Sequence, residues 1–347
     1  MHTVKVFIVD DSAFMRQLLK DVLSSSDAIK VIGSASDGYA AINKIKELRP
    51  DVVTLDIDMP GIDGLTVLRR ITEECPTPTV IISTSRKKNA EMAKAISYGA
   101  FDFIIKDVKN INIDNLKHEL TDKILQAYKS QNPFPEQEIT EKAKPLKKEK
   151  SLLSLITPKA EIIIIGTSTG GPKALFEVIP KLPGDMPVPI IIIQHMPLYF
   201  TTSLAKRMNE ITQIPVKEAE EGDKLESGKV FIAKGDYHLT IDKDKKVRFN
   251  QDPPHWAVRP SMSITLFSAI KIYGGKILAV VLTGMGKDGS DGISALKKAG
   301  GKCIVQNEAT CTVFGMPKAV IDDGNADKIV PLSNISKEII NMLAYWQ

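Results

Sequence analysis

Short apolar runs rich in valine and isoleucine, each separated from the next by a stretch of helical periodicity, constrain this chain more than any other feature. Residues 4 to about 128 read VKVFIVD, AFMRQLLKDVLS, KVIGSAS, GYAAINKIKEL, DVVTLDI, GLTVLRRITEE, TPTVIIST, AEMAKAISYG and FDFIIK. Strands that are apolar on both faces need cover on both faces, and alternation with helices supplies it when the strands run parallel. A second alternation begins near residue 159 with AEIIIIG, a helix through KALFEVIPKL, the strand PIIIIQ and a helix around TTSLAKRMNEI. It resumes with KILAVVL, a helix through SALKKAG, and KCIVQ. Between these blocks VFIA, HLTID and KVRFN are short strands, and the turn residues KDK join the last two into a hairpin expected to interrupt the parallel order. The reading is α/β throughout: two doubly wound parallel-sheet domains, at 1–128 and 159–347, with an inserted β-hairpin in the second.

A length of 347 residues suits about two domains. The segment between them, 129–158, contains NPFPEQE and KPL, and from Glu141 to Lys150 it holds five lysines against two glutamates. Most of the net charge of +4 is therefore local. Without interleaved aromatics such a stretch reads as an extended, solvated linker rather than a nucleic-acid contact. A DNA-binding output would add a compact helical module with a basic face, whereas about 190 residues of strand–helix alternation follow the linker. The composition, 43% hydrophobic and 25% charged, is that of ordinary soluble domains. EIIIIG and PIIIIQ are far too short to span a bilayer, so no membrane insertion is expected. MHTVKVFIVDD lacks the pattern of a secretory leader. Cys75, Cys303 and Cys311 are odd in number and scattered, without metal-ligand spacing. They read as ordinary buried thiols of a cytoplasmic protein.

In an open parallel sheet, ligands collect beyond the carboxyl ends of the strands. Asp10 and Asp11 close the first strand and Asp56 closes the third, so three carboxylates converge on one edge. They repel unless a cation joins them, and hard oxygen ligands with room for water suit Mg²⁺. Asp at a strand end also serves as a helix N-cap, but three at coincident ends exceed what capping requires.

The second alternation carries Gly166-Thr-Ser-Thr-Gly170, a G-x-S-x-G turn between the strand EIIII and a helix opened by Pro172. Such a turn lifts a serine hydroxyl out of the sheet, or cradles a phosphate. A nucleophilic Ser168 needs a base and an orienting acid. His195 ends the next strand, and Asp288 lies in LTGMGKDGSDG after KILAVVL, so all three candidates sit at carboxyl ends of parallel strands. Taken singly, His195 reads as a structural residue and Asp288 as a cap of the helix through SALKKAG. Asp291 competes for that cap. His2, His118, His238 and His255 lack this placement, although His255, near Arg259, is positioned to line a substrate groove. The order Ser, His, Asp is not that of α/β-hydrolases, but triads are defined by geometry and role.

DD, LDIDMPGIDG, Ser83 after VII and Lys106 after FDFII resemble the receiver domain of two-component response regulators, a flavodoxin-like fold. The resemblance implies phosphorylation at Asp56, with Asp10, Asp11, Asp56 and the main-chain carbonyl of Asp58 around Mg²⁺, and Ser83 and Lys106 on the phosphoryl oxygens. Asp107 stands where receivers usually have proline. GTSTGG, QHMP, RPS, LTGMGKDG and FGMPKA, together with the receiver, resemble the chemotaxis response-regulator family of protein-glutamate methylesterases/glutaminases, whose catalytic domain is Rossmann-like. That resemblance implies Ser168 as nucleophile, His195 as general base, Asp288 as its orienting acid and the N–H groups of Thr169 and Met285 as oxyanion donors. It further implies chemoreceptors as substrates and a chemotaxis histidine kinase as phosphodonor. A tether of roughly 30 residues is long enough for docking, so the unphosphorylated receiver is expected to cover the Ser168 edge until Asp56 is phosphorylated. Thr167 stands where the family usually has alanine, and Ser263 where it has aspartate. A catalytically silent receptor-binding scaffold on the same fold is the alternative.

Overall fold

A computed structural model describes residues 3–83, 94–96, 98–105, 113–129, 158–198 and 200–346. The chain divides into two compact units, Met1–Ile139 and Thr140–Gln347. Of the expected linker, only its two end residues are described.

In the first unit β1 (Val4–Val9), β2 (Ile29–Ala35), β3 (Val52–Leu55), β4 (Thr79–Ser83) and β5 (Asp102–Ile105) form a parallel sheet in the order β2-β1-β3-β4-β5. Helices Ala13–Ser24, Gly38–Leu48, Gly64–Glu74 and Ile113–Lys129 cover it. The first three start at side-chain caps, Ser12, Asp37 and Asp63, each accepting from the N–H three residues on. Ser12 does the capping beside Asp10 and Asp11, which leaves those two acids for other work. The strand order reverses direction at β1, so the ends of β1 and β3 form the crevice where such sheets bind ligands.

The second unit is built on β6 (Ile162–Thr167), β7 (Ile190–Gln194), β8 (Val216–Glu218), β9 (Val230–Ile232), β12 (Ile277–Val281), β13 (Lys302–Gln306) and β14 (Lys328–Val330). Their order is β14-β13-β12-β6-β7-β9-β8, with every neighbouring pair parallel. The hairpin, β10 (His238–Ile241) and β11 (Val247–Asn250), does not interrupt this order; it forms a separate antiparallel two-stranded sheet. Leu239, Ile241 and Val247 are buried in the same apolar cluster as Met262, Leu266 and Ala269 of the helix Met262–Tyr273. That burial anchors the hairpin to the domain, together with an antiparallel bridge in which the Gly222 and Leu225 N–H groups donate to Val247 O and Lys245 O and the Val247 N–H donates to Asp223 O.

The register matters for the site. Val281 pairs with Gly166, and Thr167 with Gln194. The ends of β12, β6 and β7 are therefore level, and whatever follows them meets on one edge. Ile162 to Ile165 are fully buried, as are Ile190 to Ile193, each contributing about 1.5–3 kcal/mol of transfer energy. Among the described residues no helix is long and apolar enough to cross a membrane. The cysteines are free, and only Cys303 is buried. Cys75 and Cys311 are half-buried, contrary to the expectation of three buried thiols.

Ile164 lies between Ala279 and Ile191 at the centre of this sheet. Ile164→Ala is expected to cost about 2–5 kcal/mol. The chain's two tryptophans, Trp256 and Trp346, both belong to the second unit, so urea unfolding followed by indole fluorescence reads this loss directly. An unchanged midpoint would remove Ile164 from the core.

Candidate active site

Three loops meet beyond the level ends of β12, β6 and β7. The first, Ser168–Gly170, runs from β6 into the helix Gly171–Val178, which has Pro172 in its first turn. Gly170 makes the turn at φ +76°, where a Cβ would also lie 2.4 Å from Thr312 Cβ. Any other residue there is both strained and obstructed. Two polar side chains fix the turn from either side. Thr283 O accepts from the Ser168 N–H at 3.1 Å and from Thr167 Oγ1 at 2.8 Å, while Thr283 Oγ1 donates to Thr169 O at 3.0 Å. Gln194 Nε2 donates to Ser168 O at 2.9 Å and to His195 O at 3.2 Å, tying the serine turn to the end of β7. The Thr167 hydroxyl, a departure from the family pattern, is thus buried and satisfied.

The loop after β12 passes so close to the turn that a Cβ on Gly284 would lie 2.9 Å from Ser168 Cβ and 3.0 Å from Ser168 N. Four residues on, Asp288 is 2% exposed. Its carboxylate accepts from His195 Nε2 at 2.8 Å, Ser261 Oγ at 2.6 Å, Met262 N–H at 2.7 Å and Ser263 N–H at 3.3 Å. Ser261 is the N-cap of the helix Met262–Tyr273, so Asp288 sits on a helix N-terminus, where anions are stabilised. Burial pushes this carboxyl up, but the bond and charge of His195 and the donors from Ser261 and Met262 outweigh it and hold the group below the ordinary aspartate value.

An ionised carboxylate accepts only, so in the neutral imidazole the His195 proton is on Nε2. That leaves Nδ1 as the basic nitrogen. The His195 side chain is 8% exposed, and Nδ1 is buried without a hydrogen-bond partner. Ser168 is half-buried beside it in the neighbouring strand's extension. The Thr169 N–H has no acceptor among the described residues, and Met285 is 44% exposed at the rim. The expected role of Asp291 as helix cap is not what is found. The helix Ser290–Lys298 starts at Gly289 with no side-chain cap, and Asp291 instead accepts from His255 Nε2 at 2.8 Å and from Ser263 Oγ. Ser261, Gln194 and Thr283 were given no role by the sequence reading. Ser261 was the most legible of them, since serine directly before the run MSITLF is an N-cap signal.

In the first unit, carboxylate oxygens of Asp10, Asp11 and Asp56 lie within 4.8 Å of one another. Asp10 and Asp56 are buried, at 1% and 3% exposure, and Asp11 is exposed. Asp10 also accepts from the Ser12 N–H and Asp56 from the Asp58 N–H, each at 2.9 Å. Ser83 Oγ donates to Asp58 Oδ2 at 3.1 Å. A cleft lined by Asp11, Asp58, Met59 and Pro60 adjoins the cluster. An all-carboxylate set open to water on one side fits a hard divalent cation. Lys106 lies outside the described residues.

Because its folded pKa lies below its unfolded value, Asp288 contributes stability that is fully present above about pH 4 and lost as pH falls through the folded value. The unfolding free energy of the wild type should exceed that of Asp288→Asn at neutral pH, with the gap narrowing in acid. Urea titrations read by indole fluorescence check this; a gap independent of pH down to about pH 3 would contradict it.

A family model described as the response regulator receiver domain matches residues 6–119, and one described as CheB methylesterase matches residues 163–339. A protein-glutamate methylesterase/protein-glutamine glutaminase of Clostridium acetobutylicum is 40% identical over 99% of each chain, and one of Pyrococcus horikoshii is 42% identical over 97% of this chain and 93% of its own. The crystal structure of the Thermotoga maritima CheB methylesterase catalytic domain superposes with a TM-score of 0.51 at 45% identity, covering 53% of this chain and 98% of that one. Matched along nearly its whole length by these relatives, the chain belongs to the CheB methylesterase family, with a response regulator receiver domain ahead of the catalytic domain.

Proposed function

We propose that this chain is a phosphorylation-controlled hydrolase that demethylates glutamate methyl esters and deamidates glutamines on chemoreceptors, with Ser168 as nucleophile, His195 as general base and Asp288 as its orienting acid. The observation that supports the residue roles is the 2.8 Å bond between His195 Nε2 and a buried Asp288, which leaves Nδ1 as the nitrogen suited to act as base on the edge where Ser168 turns out of the sheet. Nδ1 takes the Ser168 proton as Oγ attacks the γ-carbonyl, and the N–H groups of Thr169 and Met285 receive the oxyanion. The proton returns to the departing methoxide, methanol leaves, and water activated by the same nitrogen hydrolyses the acyl-enzyme. With a glutamine side chain the leaving group is ammonia. Asp288 stabilises the imidazolium in each step without taking the proton.

Control is assigned to the receiver. Asp56 is the phosphoacceptor, and Ser83 and Lys106 contact the phosphoryl oxygens. Asp10, Asp11 and Asp56, with the Asp58 carbonyl, would hold Mg²⁺, whose charge offsets that of the phosphoryl group. A chemotaxis histidine kinase supplies the phosphoryl group, and phosphorylation shifts the chain from a state in which the receiver covers the Ser168 edge to an open one. Three free cysteines and the absence of metal-ligand spacing among them favour the cytoplasm. The domain limits that fit this reading are 1–128, a linker at 129–158 and 159–347.

Methanol release from methyl-labelled receptor membranes, with Mg²⁺ and a small-molecule phosphodonor, tests the scheme. Ser168→Ala should lower release by about 10⁴-fold or more. Asp56→Asn should keep the basal rate and lose the stimulation. Release that survives Ser168→Ala removes the nucleophile assignment; stimulation that survives Asp56→Asn removes the switch; no release from the wild type favours the binding scaffold.

A further inference from the structure

The segment 251–260 takes no part in the chemistry above, yet it is built in detail. His255 and Val258 exchange both backbone hydrogen bonds, at 3.1 and 3.0 Å, leaving Trp256 and Ala257 as the central pair of a two-residue turn. Both have positive φ, +50° and +63°. That geometry is normally filled by Asn-Gly, and a bulky side chain there is strained. Strain of this kind persists only where the surroundings enforce it, and it gathers at ligand contacts.

Packing in the core does not account for the choice, because Trp256 remains 43% exposed. Polar and ring contacts hold it instead. Asp291 accepts from His255 and Ser263, which fixes the imidazole beside Trp256. The His255 ring stands edge-on to Trp256 at 5.7 Å and to Phe267 at 6.4 Å. Arg259 Nη1 donates to the carbonyls of Gln251 and Asp252 at 3.0 and 2.9 Å, fixing the base of the segment. On the indole face sits Lys287, with Nζ 4.0 Å from the ring centroid. Lys287 directly precedes Asp288, and Met285, two residues further back, is also exposed. A strained, partly bare tryptophan is thus fastened at the rim of the site through the loop that carries the acid.

We propose that Trp256, backed by Lys287 and positioned by Asp291, is a specificity-determining contact that seats the polypeptide flanking the reactive glutamyl side chain. This rests on the methylesterase reading. The occupant is a stretch of receptor whose unmodified and product side chains are carboxylates, complementary to the Lys287 ammonium, while the indole offers the flat apolar surface that a helix backbone and its neighbours pack against. A small ester has no flanking chain to place there.

The test uses the full chain with phosphodonor and two substrates, methyl-labelled receptor membranes and N-acetyl-glutamate γ-methyl ester. For Trp256→Gly the ratio of kcat/KM on receptor to that on the small ester should fall about tenfold, chiefly through KM. The Tm should hold or rise, because glycine relieves the positive φ. Trp256→Phe should restore most of the ratio, and Asp291→Asn should lower it. A Trp256→Gly protein that loses Tm and declines equally on both substrates overturns the inference, as does an unchanged ratio. A wild type that hydrolyses neither substrate overturns the methylesterase reading itself, which is a separate result.

Discussion

The buried carboxylate of Asp288 is tolerated because four donors converge on it: an imidazole, a serine hydroxyl and the first two N–H groups of a helix. An unpaired charge at 2% exposure would cost several kcal/mol. Meeting that requirement sets the geometry of everything nearby. The loop after β12 must cross the sheet edge to reach the start of the helix Met262–Tyr273, and on the way it passes Ser168 closely enough that Gly284 has no room for a Cβ. Thr283 and Gln194 then lock the serine turn to both neighbouring strands. The acid, the imidazole and the serine turn come together because one charge has to be neutralised.

The two units use the same sheet edge in opposite ways. The catalytic unit isolates one carboxylate and surrounds it with fixed donors, which leaves it ionised without a metal. The first unit gathers Asp10, Asp11 and Asp56 within 4.8 Å and meets them with the N–H groups of Ser12 and Asp58. Three carboxylates held that close repel one another, and hard oxygen ligands of this kind are chemically suited to a divalent cation. One edge neutralises a single charge with fixed donors; the other concentrates charge.

Much of this was legible in the sequence because the strands are short, apolar and bounded by their functional residues. The placement of Asp10, Asp56, Ser168 and His195 follows once VKVFIV, VVTL, IIIIG and IIIIQ are read as parallel strands. What was not legible depended on partners distant in the chain. Nothing local indicates that Ser261 and Met262 hold Asp288, 27 and 26 residues away. The hairpin was read correctly as a hairpin but misplaced, because alternation within HLTID and KVRFN does not reveal whether their apolar side faces a strand or a helix. Asp291 was read as a cap because its sequence position allows one. A glycine at φ +99° starts that helix, freeing the carboxylate to face His255 and Ser263.

The departure expected at Ser263 follows from the same balance of charge, whereas Asp107 lies outside the described residues. Ser263, where the resemblance led to an expectation of aspartate, donates its hydroxyl to Asp291 and accepts from the Gly289 N–H at 3.0 Å. A carboxylate at 263 would face Asp291 and lie next to the oxygens of Asp288, placing three negative groups around one helix N-terminus. A hydroxyl can bridge where a second acid would repel. Ser263 and Asp291 are therefore best understood as a pair: with the carboxylate supplied from the first turn of the helix Ser290–Lys298, its neighbour has to be a donor. The result joins His255, and through it the Trp256 turn, to the loop that carries Asp288, so that the rim and the acid of the site are set by one hydrogen-bonded chain.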